Sequence, residues 1–400
     1  MSSMKLFNHQ VRAIDFCKAR LKDHRSVYLG LSPGLGKTGA ALTLAKDYYR
    51  VAYICPPPLV INVKREMTSW DSKLIEVVPD TKIKLLSGYY DLLIVDEAHR
   101  FKNPATARFK ALGRVEAGSV VFMSGTPMPN NRPLDILATV HKYAKDIWPG
   151  KDYHDLLFRY CAPELKHVTR IKRVWDFSGF SKEQEFYDRL RASWLLRIDK
   201  SAIVLPPKIE SLVFIGELPR SLAALDKKAR EAMESGNSGT FGPLPTYRRE
   251  IGLEKAKQAI PWLEQLITDN AQSVLIFCHH REVISFLQTA LSKFKPILIT
   301  GGMTAKAKQE SIDNFQAKKT KLGILSIEAA SIGITLTAAD RVIMLESSWL
   351  DGVNEQASDR AHRIGQKNSV LVQHVVLENS GDAVFLETTL KKRDLKIDNF

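Results

Sequence analysis

Ser32-Pro33-Gly34-Leu35-Gly36-Lys37-Thr38 follows the apolar run Ser26–Leu31 and opens a helical pattern over Gly39–Tyr48. A strand, a glycine turn and a helix in that order make a phosphate-binding loop. Gly34 and Gly36 let backbone N–H groups turn toward an anion, and the helix N-terminus adds a favourable potential. Lys37 has the reach for outer phosphates, and the Thr38 hydroxyl is a Mg2+ ligand of the right hardness. Leu31 stands where the loop pattern usually has its first glycine.

Asp91-Leu92-Leu93-Ile94-Val95-Asp96-Glu97-Ala98-His99 supplies the complement. An apolar strand ending in paired carboxylates is unfavourable unless a cation offsets their repulsion. Asp96 is the expected Mg2+ ligand, directly or through water, and Glu97 the base that orients and deprotonates an attacking water. Far downstream lies Gln356-Ala357-Ser358-Asp359-Arg360-Ala361-His362-Arg363-Ile364-Gly365-Gln366. This spacing predicts that Arg360 and Arg363 leave one face of a helix. Fixed, fork-shaped cations suit a polyphosphate whose charge is being redistributed, and an arginine finger is worth roughly 10³–10⁵ in rate.

The chain has 400 residues, enough for two or three domains with full cores. With 44% hydrophobic and 26% charged residues its composition is that of an ordinary globular protein. A formal charge of +14 fits a polyanionic partner, either nucleic acid or an anionic membrane surface. No apolar run is long enough to span a bilayer and the N-terminus has no signal-peptide core, so nucleic acid is the expected partner. Cys17, Cys55, Cys161 and Cys278 are scattered without a CxxC pair and read as reduced thiols. His279-His280 has no other metal ligands at useful spacing.

Two stretches repeat one grammar of apolar strand, polar or Gly-rich turn and helical pattern. In the first, Ser26–Leu31, Val51–Cys55, Lys82–Leu86, Asp91–Val95 and Ser119–Met123 read as strands. In the second, Ser273–Cys278, Pro296–Thr300, Lys321–Ser326, Arg341–Leu345 and Val370–Leu377 do so. Such alternation predicts an α/β fold with mostly parallel sheets in two lobes. The chemically loaded residues follow strand C-termini, where open α/β sheets bind ligands. A helix-rich region separates the sheets, from about Leu134 to Ile260; Glu183–Leu196 has helical periodicity, and Ser235–Pro243 has a flexible-loop composition. The expected division is a first lobe over 1–205, with its helical insertion from about 134, a helical linker over 206–257, and a second lobe over 258–400.

Taken together, these motifs resemble superfamily 2 helicases, specifically the Snf2 family of duplex-DNA translocases, along almost the whole chain. Asp96 to Asn103 resembles the Snf2 form of motif II. Pro56, Asn62, Glu66 and Trp70 resemble motif Ia, with Val63 where a tryptophan is usual. Ser124-Gly125-Thr126-Pro127 with Asn130 is similar to motif III, and Gly301–Thr304 with Phe315 to the motif that follows IV. Ser326, Gly333, Thr335 and Ala339 fall where motif V would, and the arginine run is motif VI. Arg159-Tyr160-Cys161, Trp175–Gly179, Phe277–His280 and Ala338-Ala339-Asp340 resemble the annealing-helicase (HARP-containing) subgroup and its bacterial and phage relatives.

The resemblance implies two RecA-like lobes with Snf2-type helical insertions, holding ATP and Mg2+ between them. On one side would stand Phe7 and Gln10, similar to the adenine-contacting Q motif, with Pro33, Gly34, Leu35, Gly36, Lys37, Thr38, Asp96 and Glu97. Arg360, Arg363 and Gln356 would come from the other. His99, Ser124, Gly125, Thr126 and Gly333 would couple hydrolysis to movement. Implied DNA contacts, mostly to phosphate because a translocase tolerates any sequence, are Lys64, Arg65, Arg100, Lys102, Asn103, His280, Arg281, Ser326 and Thr335. The expected protein is a near-bare, monomeric motor on duplex or branched DNA, acting by branch migration, fork regression or strand annealing. Its expected location is a bacterial or phage-infected cytoplasm. A strand-separating DNA or RNA helicase and the motor subunit of a restriction or defence system are the alternatives.

Overall fold

The computed structural model describes residues 5–72, 75–148, 152–167, 173–234, 244–269, 273–330, 334–348, 351–384 and 386. The chain divides into two compact units, Met1–Val204 and Leu205–Phe400.

The first unit holds β1 (Ser26–Leu31), β2 (Val51–Cys55), β3 (Ile75–Pro79), β4 (Tyr89–Val95), β5 (Glu116–Met123) and β8 (Leu195–Ile198) in one sheet of order β3-β2-β4-β5-β1-β8. Every described pairing in it is parallel. β1 and β2 are buried along their whole length, as expected of strands covered on both faces by helices. The order sets β4, β5 and β1 side by side, so the residues after Val95, Met123 and Leu31 emerge at one edge of the sheet. A separate antiparallel hairpin, β6 (Glu164–His167) and β7 (Arg173–Asp176), stands apart from that sheet.

The second unit repeats the plan. β9 (Lys208–Glu217), β10 (Ser273–Cys278), β11 (Ile297–Ile299), β12 (Leu322–Ser326), β13 (Ala339–Met344) and β14 (Val370–Glu378) form an all-parallel sheet of order β11-β12-β10-β13-β14-β9. The protein is thus α/β, with two RecA-like sheets.

Most strands fall within a residue or two of their sequence positions, and three departures have physical reasons. Lys82–Leu86 is a short 3-10 turn at Ile83–Leu85, and the strand there is β3; only Ile83 of that run is buried, so one residue anchors a turn. The helical pattern of Glu183–Leu196 stops at Ser193 and the chain becomes β8. Trp194 decides this: it is buried against Tyr28, and its indole N–H donates to Ser26 Oγ at 2.8 Å. A buried indole needs such a partner, and β1 supplies it. The expected helical linker over 206–257 is also corrected, because β9 lies inside it as the edge of the second sheet. The helix Leu244–Asp269 then runs straight through position 257. This edge strand is half-exposed, and its apolar run, Leu212–Ile215, is short enough that periodicity alone does not tell strand from helix. The Gly- and Ser-rich stretch Ser235–Pro243 lies outside the described residues.

Candidate active site

The phosphate loop leaves the C-terminal end of β1 and enters α2 (Lys37–Ala45). α2 begins two residues before its sequence expectation, because Gly36, at φ 70°, turns the chain into the helix. Gly34 also has positive φ, 90°, a conformation glycine adopts without steric cost. The preceding helix α1 (Asn8–Arg20) clamps the loop. Gln10, buried, donates from Nε2 to the Gly36 carbonyl at 2.9 Å and accepts the Phe7 N–H on Oε1 at 2.9 Å. His9 Nε2 meets the Leu35 carbonyl at 2.8 Å. A Cβ at Gly36 would lie 2.5 Å from Gln10 Nε2, so only glycine fits beneath this clamp. Phe7 is 47% exposed and stacks on His9. Gln10→Ala is expected to lower stability by about 0.5–1.5 kcal/mol, since the partly buried Gly36 carbonyl and Phe7 N–H lose their partner. A calorimetric melt unchanged from wild type would contradict this.

Lys37 Nζ donates to the Leu31 carbonyl at 2.9 Å, folding the amine back over the loop. Beyond β4, Asp96 is 5% exposed. Its Oδ2 accepts from Tyr53 Oη at 2.9 Å and its Oδ1 from the Glu97 N–H at 2.9 Å. Burial first, and the Glu97 charge second, push the Asp96 carboxyl up to about 7, against the pull of Lys37, Tyr53 and the Glu97 amide. A carboxylate so placed gains from a cation in front of it. Glu97 itself sits at φ 49°, ψ 48°, a left-handed conformation that costs about 1–3 kcal/mol in a non-glycine residue.

The donors fit Mg2+ better than a transition metal. Asp96 and Thr38 offer hard oxygens, and no group of three or more His, Cys, Asp or Glu forms a cage among the described residues. Mg2+ is commonly held by one or two carboxylates together with water and substrate phosphates.

From the acid pair a polar chain runs to the turn after β5. His99 Nδ1 lies 3.3 Å from Glu97 Oε2 and 2.9 Å from Ser124 Oγ, which also accepts the Thr126 N–H at 3.1 Å. Burial lowers the His99 pKa; Glu97 pulls it up, while Arg100, Lys102 and Lys37 push it down. The Ser124–Thr126 turn presses on the loop: a Cβ at Gly125 would lie 2.9 Å from Pro33 Cγ and 3.4 Å from Lys37 Nζ. Pro33, Lys37, Asp96, Glu97, His99, Ser124 and Gly125 are thereby brought into one contiguous cluster.

The arginine run departs from its expected form. The helix Asp351–Ser358 ends before either arginine, so they do not share a helical face. Gln366 is the reason: its Nε2 donates to the carbonyls of Thr337, Ala339 and Ala361, and its Oε1 accepts the N–H groups of Lys367 and Asn368. Gly365, at φ 100°, completes the turn. Arg363 Nη1 donates to the Ile334 carbonyl at 2.9 Å and Thr335 Oγ1 at 2.8 Å, while Arg360 is 4% exposed. His362 Nε2 reaches the Pro206 carbonyl at 2.7 Å, and Lys208 lies 3.6 Å from Asp359. Gln356, half-buried, is on the helix, and Gly333 lies outside the described residues.

Residues 258–365 match the Helicase conserved C-terminal domain family. The chain is 30% identical over 311 residues to the SWI/SNF-related matrix-associated actin-dependent regulator of chromatin subfamily A-like protein 1 of Xenopus tropicalis, covering 75% of this chain and 32% of that protein. It is 26% identical over 400 residues to the DNA annealing helicase and endonuclease ZRANB3 of Mus musculus, covering 88% of this chain and 37% of that one. The chain belongs to the Snf2 family of superfamily 2 helicases. It spans about a third of the length of these curated relatives. Among solved structures it is similar to the Sulfolobus solfataricus SWI2/SNF2 ATPase core in complex with dsDNA, with 20% identity and a TM-score of 0.46 over 98% of this chain and 92% of that one.

In this Snf2-family chain several residues expected to face DNA are engaged within the protein. Arg100 Nε and Arg108 Nε lie 2.6 and 3.2 Å from Asp80 Oδ2, whose side chain is fully buried. Lys102 Nζ is 3.1 Å from Asp135 Oδ1, and Asn103 Oδ1 accepts the Ala105 N–H at 2.9 Å. A buried carboxylate left without its cation is strongly unfavourable, so Arg100 and Lys102 hold the post-box segment in place. His280 Nδ1 meets Glu346 Oε1 at 2.6 Å, and the His279 and His280 N–H groups donate to Glu346 Oε2 at 2.8 and 2.9 Å. Thr335 accepts from Arg363. Lys64, Arg65 and Arg281 have exposed side chains, and Ser326 is half-buried at the end of β12. Tyr53, Asp80, Gln366 and Glu346 carry no sequence signal of their roles: Tyr53 reads as core, and the carboxylates meet partners that only folding brings near. No helix among the described residues is long and apolar enough to cross a membrane.

Proposed function

We propose that this chain is an ATP-dependent double-stranded DNA translocase that remodels branched DNA by branch migration, fork regression or strand annealing. The observation that carries the reading is the cluster of Lys37, the buried Asp96 and the left-handed Glu97 at the C-terminal ends of β1 and β4, the two strands that flank β5. It supports phosphoryl transfer to water, a reaction that needs a phosphate cradle, a carboxylate for a hard cation and a base. The relatives' names, an annealing helicase among them, support the branched-DNA part.

In this reading Phe7 and Gln10 hold the base, and the loop from Pro33 to Thr38 holds the phosphates. Mg2+, held by Asp96 and Thr38, would neutralise phosphate charge. Glu97 takes the proton of the attacking water. Arg360 and Arg363 take up charge on the transferred phosphoryl group, with Gln356 beside them. Lys64, Arg65 and Arg281 are the phosphate contacts on DNA best placed by exposure, with Ser326 and Thr335 as lesser ones.

His99 and Ser124 transmit the state of Glu97 to the turn after β5. Ser124→Ala removes the hydroxyl that accepts from Thr126 and meets His99. It is expected to reduce DNA stimulation of ATP hydrolysis at least about tenfold, a coupling of roughly 1.4 kcal/mol, and to leave the DNA-free rate nearly unchanged. Equal loss of both rates would remove the coupling role.

The test of the whole reading is ATP hydrolysis with linear duplex, forked duplex, four-way junction, single-stranded DNA and RNA at several salt concentrations. Duplex and branched DNA should stimulate most, with stimulation falling steeply as salt rises. Stronger stimulation by RNA would replace the reading with a strand-separating helicase. No stimulation by any nucleic acid would overturn it.

A further inference from the structure

The β6–β7 hairpin is unlike the rest of the first unit. It belongs to neither six-stranded sheet, and of its eight strand residues only Asp176 is even partly buried. Leu165, Val174 and Trp175 are 43%, 44% and 45% exposed. A two-stranded hairpin is marginal by itself in water, so a hairpin that stands free with large apolar side chains on show needs a firm base and a reason.

The base is present. Trp175 meets Phe158 in a T-shaped contact at 5.0 Å, and Phe158 meets Phe177 at 5.3 Å and His154 at 4.7 Å. Phe158 lies on the helix Tyr153–Tyr160, whose Arg159 grips both carboxylate oxygens of Glu185 at 2.8 and 2.7 Å while Tyr160 Oη donates to Glu185 at 2.8 Å. Trp148 Nε1 donates to the same Tyr160 hydroxyl at 2.7 Å. Asp176 accepts from Lys166 and from the Ser178 N–H and hydroxyl.

The face that carries Trp175 has a definite chemistry, and its edge contact with Phe158 leaves the indole 45% exposed. The register pairs Leu165 with Trp175 and His167 with Arg173. Residues two apart on a strand share a face, so Leu165, Trp175, His167 and Arg173 form one surface. The other face carries Glu164, Lys166, Val174 and Asp176, where Lys166 is matched by Asp176 and Glu164. Among the described residues this face therefore offers a half-exposed aromatic and aliphatic pair flanked by a guanidinium and an imidazole.

Duplex DNA offers phosphates on its outside and keeps its bases stacked within. A cation answers the phosphates, but an exposed indole has no use there; it stacks on a base freed from pairing. We propose that this face of the hairpin binds unpaired nucleotides at the branch point of forked DNA, with Trp175 stacking on a base and Arg173 meeting the adjacent phosphate. The charge of +14 on the chain agrees with a polyanionic occupant. The proposal rests on the branched-DNA reading and names the element that would recognise the branch.

Fluorescence anisotropy with a linear duplex and a fork bearing unpaired arms, both of equal length, tests it alongside ATP hydrolysis on each DNA. Wild type should bind the fork more tightly. Trp175→Ala should reduce the fork-to-linear affinity ratio about 5–100-fold, the loss expected of one stacked base, with binding to linear duplex and its stimulation of ATP hydrolysis unchanged. Trp175→Phe keeps an aromatic ring over Phe158 and should retain most of the preference, which separates stacking from loss of the hairpin; Arg173→Glu should reduce it. An unchanged ratio in both Trp175→Ala and Arg173→Glu, a wild type without fork preference, or equal loss on both DNAs overturns the proposal. Absence of DNA-stimulated hydrolysis in wild type counts instead against the motor reading, since binding is measured separately.

Discussion

Lys37→Ala is expected to lower kcat for DNA-stimulated ATP hydrolysis by about 10²–10³-fold, the loss typical of one preorganised charge-stabilising group. The amine lies at the loop, held by the Leu31 carbonyl, and its charge opposes the rise in the Asp96 pKa. Removing it therefore does two things. It takes a cation from the phosphates, and it leaves Asp96 and Glu97 repelling each other with less compensation. DNA affinity should stay within about threefold of wild type, because none of the exposed basic residues is altered and a single charge changes phosphate binding little. Steady-state hydrolysis and DNA anisotropy read the two effects separately. A variant that hydrolyses ATP within tenfold of wild type would end the assignment of this loop.

Glu97→Gln is expected to cut kcat by about 10²–10⁴-fold, the range for losing a general base, while ATP still binds. The substitution keeps size and removes only the charge and the proton acceptor. It also relieves repulsion on Asp96, so a fall in KM for ATP alongside the fall in kcat is expected. Single-turnover hydrolysis with separately measured nucleotide affinity checks this. Equal losses in kcat/KM and in ATP affinity would show a binding role rather than a base.

Much of the site was legible because its chemistry is local. The loop Pro33–Thr38 and the pair Asp96-Glu97 are contiguous stretches, each following an apolar strand, and parallel sheets bring strand ends to one edge. The arginine run was legible as a cluster and misread as a helix. Periodicity sees Gln356 to Ser358 and continues; it does not see that Gln366 reaches back to three carbonyls and ends the helix early. The basic segment after the acid pair has a structural role that was not legible, for a related reason. Arg100 and Lys102 look like surface cations until the buried Asp80 and Asp135 are set opposite them.

The amino-acid sequence by itself determined the α/β class, the repeated parallel sheets and the loop and acid pair, because short-range patterns of apolarity, glycine and charge encode strand, turn and helix directly. Tertiary structure alone decided which polar groups meet. It set Gln10 beneath Gly36, Tyr53 against Asp96 and His99 beside Ser124. It also drew 208–217 into the second sheet and left the β6–β7 hairpin standing free of the first. These outcomes depend on pairings between residues tens of positions apart, where a buried charge or donor must find its partner; burial, not local pattern, makes that demand.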